Sequence, residues 1–587
     1  MRRLLKYLSD YKKESILGHL FKLLEAGFEL IVPLVMASII DVGINNNDTV
    51  HIWRMGAVLV ILGIVGLVCS ITAQYFAAKA SVGFGTKLRA DLFDKINSLS
   101  YAELDSAGTA SLITRMTSDV NQIQSGVNLV LRLFLRSPFI VLGAMIMAFT
   151  INVQVAWVFV VAIPLLAVVV FGVMAYSIPL YKKVQKNLDH IMLVTRENLA
   201  GVRVIRSVCR QDYEKQRFTD DNQNLMDVQI FVGKIAAILN PVTYMIVNAA
   251  LICIVVIGGH KVDAGILKQG TVIALINYMN QILIELVKLA NLIVSVTKSL
   301  ACANRVSEIF DYDKPDIVEA KNPVTWDKSV KTGEEMISFS HVSFVYPDAG
   351  EETLTDINFK VLAGQTIGII GGTGCGKSTL IHLMSRFYDA TQGEIKLQGR
   401  DIKEYSLQSI RQGIGLVPQK ALLFMGSLRD NLKWADENAT EEQMYAALKT
   451  AQALDIVESK EKGLDMQIEE GASNLSGGQK QRFTIARALL GNPGILILDD
   501  SASALDYATD LRLRQALKTD LAGKTVFLVS QRAAPIKEAD QILVLDEGRL
   551  AGVGTHEELL KSCEVYEEIC LSQLSREEVY GHGAVGR

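Results

Sequence analysis

The chain has 587 residues, of which 50% are hydrophobic and 21% charged, and its formal net charge is −4. A chain of this length is expected to form two or more domains, and so small a net charge does not favour a nucleic-acid partner. The seven cysteines follow no metal-ligand spacing, which is typical of reduced residues in a protein whose soluble part faces a reducing compartment.

The apolar excess lies in roughly the first half of the chain and predicts a membrane domain. Residues 1–15 are basic and amphipathic, which predicts a short helix on the inner membrane surface or, alternatively, an unstructured basic start. Stretches long enough to span a bilayer then follow, six in all. They lie near 16–43, 55–80, 127–150, 154–178, 232–259 and 270–296, within a membrane domain that we place at 16–300.

Two connections between these spans, near 81–126 and 180–231, are much longer than the others and carry most of the lysines and arginines. The positive-inside rule therefore places both long connections, the N-terminus and the C-terminal half in the cytoplasm, with the chain crossing the cell membrane several times. Both connections read as helices that extend the spans beyond the bilayer. We expect them to reverse near Tyr101–Gly108 and near Gln211–Arg217, with a short cytosolic helix at each reversal.

Span six carries polar side chains at steps of three or four residues, which place them mostly on one helical face. This face indicates either a pathway that touches substrate or interhelical hydrogen bonds with a structural ion pair between Glu285 and Lys288. Arg132 and Arg136 share one face of span three, and we expect both to reach the inner headgroups. The candidate pathway residues are Asn277, Gln281, Glu285 and Lys288.

The second half begins with a polar linker, which we place at 301–335 and which contains Asp313, Pro315 and Pro323. A soluble domain over 336–575 and a tail over 576–587 follow. Met336 to Val345 alternates as a half-buried strand does and leads to Tyr346, whose ring can stack on adenine or simply end the strand.

An apolar strand pattern leads into a glycine-rich loop and then a helical pattern, which is the strand–loop–helix context of a P-loop. Glycines let backbone N–H groups close around phosphates, the helix N-terminus favours the same anion, and Lys377 and Ser378 are placed to meet phosphate and Mg²⁺. The loop residues are Gly371, Gly372, Thr373, Gly374, Cys375, Gly376, Lys377, Ser378 and Thr379.

Three further features complete a nucleotide site. A strand ends at Gln419, whose amide can reach Mg²⁺ or an attacking water. A second strand ends at Asp499, where a Mg²⁺-coordinating acid is expected. A second anion-binding helix start follows a serine and two glycines, in the pentapeptide Leu475, Ser476, Gly477, Gly478 and Gln479.

Together the P-loop and this pentapeptide resemble those of an ABC transporter half-subunit of the exporter type, and the resemblance covers essentially the whole chain. It implies a six-helix membrane bundle with long cytosolic extensions, followed by an α/β P-loop nucleotide-binding domain that uses ATP and Mg²⁺. It further implies that Tyr346 stacks on adenine, that Ser378, Gln419 and Asp499 meet the metal, and that the pentapeptide, called the signature, acts on ATP held by a partner subunit. The two cytosolic reversals match the family's coupling helices, and the loop between the two sites, called the D-loop, is Ser503, Ala504, Leu505 and Asp506.

The sequence departs from the family pattern at two chemical positions. Asp500 stands where the family has the glutamate base, so the carboxylate retreats by about 1.5 Å. Gln531 stands where it has a histidine, and an amide carries no proton or charge. We therefore expect a heterodimer with a related half-transporter, in which this chain's own site is degenerate and its signature completes the partner's hydrolytic site. The alternatives are a homodimer with slow hydrolysis, an ATP-gated channel or a regulatory subunit.

The apolar spans with few polar groups suit an amphipathic drug, lipid or peptide as the exported substrate, but the sequence does not choose among these. A soluble ATPase of the same superfamily is excluded by the six spans. An importer would lack this fusion of membrane and nucleotide domains and the two long cytosolic connections.

Overall fold

The computed structural model describes residues 4–312, 317–328, 331–346, 349–501 and 503–580. The chain forms two compact units: Met1–Ser98 with Thr109–Asp311, and Leu99–Gly108 with Tyr312–Arg587. Asp313, Pro315 and the end of the predicted tail lie outside the described residues.

The first unit is helical. It begins with a 3₁₀ helix at Leu4–Tyr11 and includes two π-helical turns, Ile39–Ile44 and Arg115–Asp119. Its α-helices are α1 (Lys12–Ser38), α2 (Thr49–Asn97), α4 (Thr109–Thr114), α5 (Val120–Leu133), α6 (Arg136–Ile151), α7 (Val153–Ser207), α8 (Gln211–Asp263) and α9 (Gln269–Phe310), while α3 (Tyr101–Ala107) belongs to the second unit.

Within the part of the chain that the structure describes, six helical stretches are long and apolar enough to cross a membrane. Each contains one of the six predicted spans, so the prediction of six membrane helices is confirmed. The stretches are Lys6–Ile44, Thr49–Asn97, Thr109–Ile151, Val153–Ser207, Gln211–Asp263 and Gln269–Phe310.

The core of the first unit takes buried residues from α1, α6, α7, α8 and α9. Ala26 and Leu30 of α1 pack with Ala144 of α6 and Tyr278 of α9 in one buried apolar cluster. A Cβ on Gly143 would lie 2.4 Å from Leu30 Cδ1, so the Leu30 side chain packs directly over this glycine of α6. Close packing through small residues is the usual way that helices associate where no hydrophobic effect drives them.

The two cytosolic reversals differ. The first contains a separate helix, α3, which Ser100 caps at its start and Gly108, with φ of 69°, ends. The second is only the turn Val208–Arg210 between α7 and α8, and residues 211–217 form the first two turns of α8. The expectation of a separate helix there is wrong, because no glycine or proline interrupts the chain between Gln211 and Val232.

The end of α9 also lies further along the chain than expected. The predicted linker begins at residue 301, but α9 continues to Phe310. Cys302, Val306 and Ile309 are buried along this segment, at the spacing of one helical face, so packing extends the helix past the point where polarity rises.

The second unit is an α/β domain that adds α3 to two larger sheets and several helices. Its strands are β1 (Glu335–Phe344), β2 (Leu354–Leu362), β3 (Thr366–Gly371), β4 (Gln392–Leu397), β5 (Arg400–Asp401), β6 (Ile414–Val417), β7 (Gly426–Ser427), β8 (Gln467–Ile468), β9 (Ile495–Asp499), β10 (Thr525–Val529), β11 (Gln541–Asp546) and β12 (Arg549–Gly554). Its helices after α9 are α10 (Lys377–Met384), α11 (Leu407–Gly413), α12 (Leu428–Lys433), α13 (Glu441–Thr450), α14 (Leu454–Glu458), α15 (Gly477–Leu490), α16 (Tyr507–Asp520), α17 (His556–Ser562), α18 (Glu564–Gln573) and α19 (Arg576–Tyr580).

The six-stranded sheet has the order β12-β11-β3-β10-β9-β6, and its strands are parallel except for β12 at one edge. Its strands are nearly continuous apolar runs, as expected for a sheet covered on both faces. Because parallel strands end at the same edge, the segments after β3, β10, β9 and β6 meet there, which is where ligands bind in open α/β sheets. An antiparallel sheet of order β2-β1-β4-β5 supplies the segment that ends at Tyr346.

Candidate functional site

The loop between β3 and α10 is shaped by glycines. Gly374 and Gly376 have φ of 84° and 98°, a region that side chains rarely adopt. A Cβ on Gly371 would lie 2.1 Å from the carbonyl oxygen of Leu545, so no larger residue fits. Lys377 Nζ donates to the carbonyl oxygens of Gly371 and Gly372, at 2.9 and 2.6 Å, so the lysine lies over its own loop, at the place where phosphates would bind.

The carboxyl edge of the sheet brings the predicted site residues to this loop. Ser378 Oγ donates to Asp499 Oδ2 at 3.4 Å. Gln419, which follows β6, donates through Nε2 to Oδ2 of Asp500, which follows β9, at 3.5 Å. Thr373 of the P-loop donates through Oγ1 to Oε1 of Gln531, which follows β10, at 3.4 Å. Residues separated by up to about 160 positions in sequence thus lie around one loop, as adjacent parallel strands require.

The two carboxylates at this edge are partly buried, and burial raises the pKa of both Asp499 and Asp500 above the usual range. Asp500 also raises the pKa of Asp499, while Ser378 lowers it. Arg532 and Gln419 act in the opposite direction on Asp500 and lower its pKa. A bound cation would lower the pKa of both carboxyl groups, since its positive charge would favour their ionised forms.

An oxygen-rich set of this kind fits Mg²⁺. The hydroxyl of Ser378, the carboxylate of Asp499 and the amide oxygen of Gln419 are hard donors, and Mg²⁺ in nucleotide sites is held by one or two protein oxygens together with phosphates and waters. These three residues would hold the ion, and the ion would neutralise charge on the phosphates.

Tyr346, after β1, lies beside the first turn of α10. Its hydroxyl is 3.1 Å from Thr379 Oγ1, and its ring meets those of Phe344 and Tyr388 edge-on, with centroids 4.8 and 5.2 Å away. The ring is half-buried, so one part of it remains accessible next to the P-loop. This placement suits stacking on a nucleotide base.

The signature caps helix α15. Ser476 Oγ accepts from Gln479 N, and Gln479 Oε1 accepts from Ser476 N, which forms a capping box. The D-loop lies against it: a Cβ on Gly478 would be 3.0 Å from the carbonyl oxygen of Ala504. Ser503 in turn donates to the backbone carbonyl oxygen of Asp500 through both its N–H and its Oγ, so the D-loop contacts both the backbone at Asp500 and the signature helix.

Sequence reasoning missed the side chains that hold α3 within the second unit. Tyr101 stacks on Phe387 with centroids 4.2 Å apart, and Arg411 lies over both rings. Tyr388 O–H donates to Asp105 Oδ2 at 2.7 Å. Burial and this carboxylate raise the pKa of Tyr388, so it stays a donor. The pair Phe387-Tyr388 shortly after the P-loop helix is the only sequence cue, and it does not identify its partner.

The polar face of α9 lies inside the first unit, and its residues differ in environment. Glu285 is buried and accepts from Lys288 at 2.8 Å, and it also accepts from Arg136 and Ser137 at 2.7 Å each. Arg136 is buried as well, with only 6% of its side chain exposed, so the expectation that it reaches the headgroups is wrong. Two carboxylates pair with its Nη1 and Nη2 inside the bundle, which offsets part of the cost of burying the guanidinium, although its Nε has no partner among the described residues.

The remaining candidate pathway residues lie nearby on the same helix. Gln281 Nε2 donates weakly to the carbonyl oxygen of Glu29 at 3.4 Å, and Asn277 is half-buried. Glu29 was overlooked in the sequence, although Lys22, Glu25 and Glu29 follow each other at steps of three and four on one face of an apolar span. That pattern was the available cue.

The P-loop, the strand-end acid and the capped signature helix define an ATPase domain, and the six apolar helices join it to a membrane region. Comparison with known proteins agrees. Residues 15–286 match the family model of the ABC transporter transmembrane region, and residues 354–503 match the family model described as ABC transporter.

An uncharacterised ABC transporter ATP-binding protein of Mycobacterium tuberculosis is 34% identical over 583 residues, which is 98% of this chain and 99% of that protein. An ATP-dependent lipid A-core flippase of Syntrophus aciditrophicus is 30% identical over 552 residues, 93% of this chain and 90% of the flippase. The structure of a bacterial Atm1-family ABC exporter with ATP bound has a TM-score of 0.79 and 22% identity, and covers 96% of this chain and 99% of the exporter.

The chain belongs to the ABC transporter family. It is a half-transporter of the exporter type, with a membrane domain fused to a nucleotide-binding domain, and it is an ATP-hydrolysing transporter. It is a multi-pass protein of the plasma membrane with a cytoplasmic nucleotide-binding domain.

Proposed function

We propose that this chain is one subunit of a heterodimeric exporter, in which its own ATP site is degenerate and its signature completes the hydrolytic site of a related partner. The observation that carries this proposal is the pairing of Asp500 and Gln531 at one site with an intact signature, Leu475–Gln479, elsewhere in the same chain.

The geometry supports weak hydrolysis at the chain's own site. Asp500 contacts Gln419 and Gln531 contacts Thr373 of the P-loop, which supports roles for these two residues as the base and the γ-phosphate contact of this site. The Asp500 carboxylate is one methylene shorter than a glutamate, and a base must lie within hydrogen-bond reach of its water. Gln531 can bond a phosphate oxygen but cannot carry charge.

Nucleotide binding at the same site is well supported. The loop glycines, Lys377, Ser378 and Tyr346 form the binding surface described above, and none of them departs from the pattern expected for ATP with Mg²⁺. ATP bound here would hold two nucleotide-binding domains together while the partner's site turns over.

The transport cycle then follows from dimer closure. ATP closes the two nucleotide-binding domains, α3 and the second reversal transmit closure to the spans, and hydrolysis resets the complex. The second reversal would dock on the partner's nucleotide-binding domain. Similarity to a lipid A-core flippase supports an amphipathic substrate, such as a lipid, drug or peptide, moved outward.

The test is to compare two base substitutions in the purified complex. Asp500→Gln in this chain should change the ATPase rate of the complex less than about twofold, while glutamine at the partner's base should lower it by about 10²-fold or more. Asp500→Ala serves as a second variant that removes the side-chain carboxylate entirely. If Asp500→Gln lowers the ATPase rate of the complex as far as the partner's substitution does, the assignment of a degenerate site is wrong. Both sites would then hydrolyse ATP, as they would in a homodimer.

A further inference from the structure

Four charged side chains form a continuous chain of ion pairs across three membrane helices. Glu29 of α1 takes two hydrogen bonds from Arg136 Nη2, at 2.8 and 2.7 Å. Arg136 of α6 also donates through Nη1 to Glu285 Oε1 of α9 at 2.7 Å, and Lys288 Nζ donates to the same oxygen at 2.8 Å. We refer to these four residues as the charge chain.

The charge chain lies deep in the predicted bilayer. Glu29 is near the middle of the span at 16–43, so about 20 Å of helix separates it from either end of that span. Glu285 is likewise well inside the span at 270–296, some 24 Å along α9 from its start. Ionisable groups at such depth are costly in a membrane and usually mark substrate pathways or pumps.

Stability does not explain this arrangement. Replacing a buried ion pair by apolar residues of similar size is often neutral or stabilising, so a purely structural role would not need four charges here. The neighbouring pair Lys22–Glu25 shows what a closed pair looks like, because its side chains are 8% and 12% exposed and bond each other at 2.5 Å. The two end members of the charge chain, Glu29 and Lys288, are more exposed than Lys22 and Glu25.

The inner and outer members of the charge chain differ sharply in exposure. Arg136 and Glu285 are 6% and 4% exposed at their side chains, whereas Glu29 and Lys288 are 43% and 42% exposed. Lys288 has three donor hydrogens and uses one on Glu285, and the carboxylate oxygens of Glu29 have lone pairs beyond those that Arg136 occupies. The buried pair thus links two groups of opposite charge that are partly exposed on the surface of this chain.

The separation of these two groups is limited by the pair between them. The three contacts and the width of one guanidinium keep the Lys288 nitrogen within about 11 Å of the Glu29 carboxylate. A head group whose own charges stand a few bonds apart, with a charge-assisted hydrogen bond of about 2.8 Å at each end, fits within this limit. An anion would be attracted by Lys288 but repelled by Glu29, and a cation the reverse, so only a head group with both charges gains from both ends.

We propose that the charge chain is a substrate subsite that recognises a zwitterionic amphiphile, with Glu29 receiving its ammonium and Lys288 its phosphate or carboxylate. This inference rests on the proposed function of the chain as an exporter subunit and names the chemical class that it moves. A membrane lipid or a soluble amphiphile can carry the same head group, so the shared feature is the pair of opposite charges.

The test uses the complete complex in liposomes with ATP. One arm measures outward movement of a fluorescent phosphatidylethanolamine against a fluorescent phosphatidylglycerol. A second arm measures stimulation of ATPase by a short-chain phosphocholine and by an alkyltrimethylammonium. Activity only in the first arm identifies lipid as the source of the head group, and activity in both includes soluble amphiphiles.

Substitutions at the two ends of the charge chain should shift selectivity in opposite directions. Glu29→Gln should raise the preference for the anionic probe over the zwitterionic probe at least about tenfold. Lys288→Gln should raise the preference for the cationic probe over the zwitterionic probe by a similar factor. Lys79→Gln, which breaks the Glu14–Lys79 ion pair elsewhere in the first unit, is the control and should leave probe preference unchanged. A structural role would move all probes together.

Failure of this inference can be told apart from failure of the proposed function. If the wild-type complex moves no probe and hydrolyses no ATP, the exporter assignment itself is overturned. If it moves probes with ATP but treats the zwitterionic, anionic and cationic probes alike, or if Glu29→Gln and Lys288→Gln shift preference in the same direction, the charge chain is not a zwitterion site.

Discussion

Restoring the longer base at Asp500 should raise turnover at this chain's own ATP site. Asp500→Glu extends the carboxylate by about 1.5 Å, towards the position from which a base can reach an attacking water. Asp500 is only half-buried, and its side chain contacts Gln419 Nε2 at a long 3.5 Å, so the additional methylene has space.

The size of the gain follows from what a positioned base contributes. A base within reach of its water typically raises the rate of the chemical step about 10²–10⁴-fold. We expect Asp500→Glu to raise the rate of ATP hydrolysis at this chain's own site at least about tenfold over wild type. Adding Gln531→His restores a group that can carry charge next to the γ-phosphate, and the pair should gain more than the single change. Because both residues serve the same step, the two gains need not multiply.

The backbone conformation at Asp500 lowers the stability of a variant with a longer side chain, although its rate of hydrolysis rises. Asp500 has φ of 44°, in the left-handed region that aspartate tolerates better than most residues. Its N–H is fixed to the carbonyl oxygen of Val529 at 2.9 Å, so the turn cannot relax easily. Asp500→Glu should therefore lower the free energy of unfolding by about 1 kcal/mol while it raises the rate.

The assay is single-turnover phosphate release from a complex whose partner carries alanine at its P-loop lysine, so that only this chain's site hydrolyses ATP. Asp500→Asn is the matched control, because it keeps the shape without the base and should show no gain. If Asp500→Glu binds ATP normally but hydrolyses it no faster than wild type, a missing base is not what limits this site, and the reasoning fails.

Three further changes should have separable effects. Asp499→Asn should raise the melting temperature of the nucleotide-free protein at pH 7–8 and abolish its stabilisation by Mg²⁺-ATP. Burial raises the pKa of Asp499 in the folded protein, so the stability that this carboxyl contributes in acid is lost as pH rises through that pKa. Thermal unfolding from pH 4 to 8 measures the effect, and a lower melting temperature of the variant at pH 8 would contradict it. Tyr388→Phe should increase amide hydrogen exchange in α3, since it removes a bond to a carboxylate worth about 1.5–3 kcal/mol, whereas Tyr405→Phe, which loses a bond to a backbone carbonyl in the same domain, should not. Ser476→Ala should lower the ATPase rate of the complex more than Lys377→Ala does, since the signature serves the partner's site, and equal losses would argue against action in trans.

Much of the architecture was predictable because its causes are local. Six long apolar stretches are typical of membrane helices. The strand–loop–helix pattern at Gly371–Thr379 predicts the P-loop, and Gly371 and Gly376 stand there where a side chain would clash. The strand-end positions of Gln419 and Asp499 were also readable, because parallel strands must end at one edge.

What was not predictable depends on partners distant in sequence. Arg136 was assigned to the headgroups because its own helix gives no hint of Glu29, 107 residues earlier, or Glu285, 149 residues later. The bond from Tyr388 to Asp105 spans 283 residues, and neither side chain is unusual in its local sequence. The second reversal differs for a local reason: the sequence analysis predicts a separate helix there, but no glycine or proline lies between Gln211 and Val232, so α8 runs on without a break.

The most direct test of the central claim is the rate of ATP hydrolysis by this chain purified alone in detergent, measured again after co-expression with its candidate partner. The account predicts negligible turnover by the chain alone and clear turnover in the complex, because only the complex pairs this chain's signature with a complete Walker site. Brisk hydrolysis by a dimer of this chain alone would show that Asp500 and Gln531 are competent, and would contradict the division of labour between the two sites.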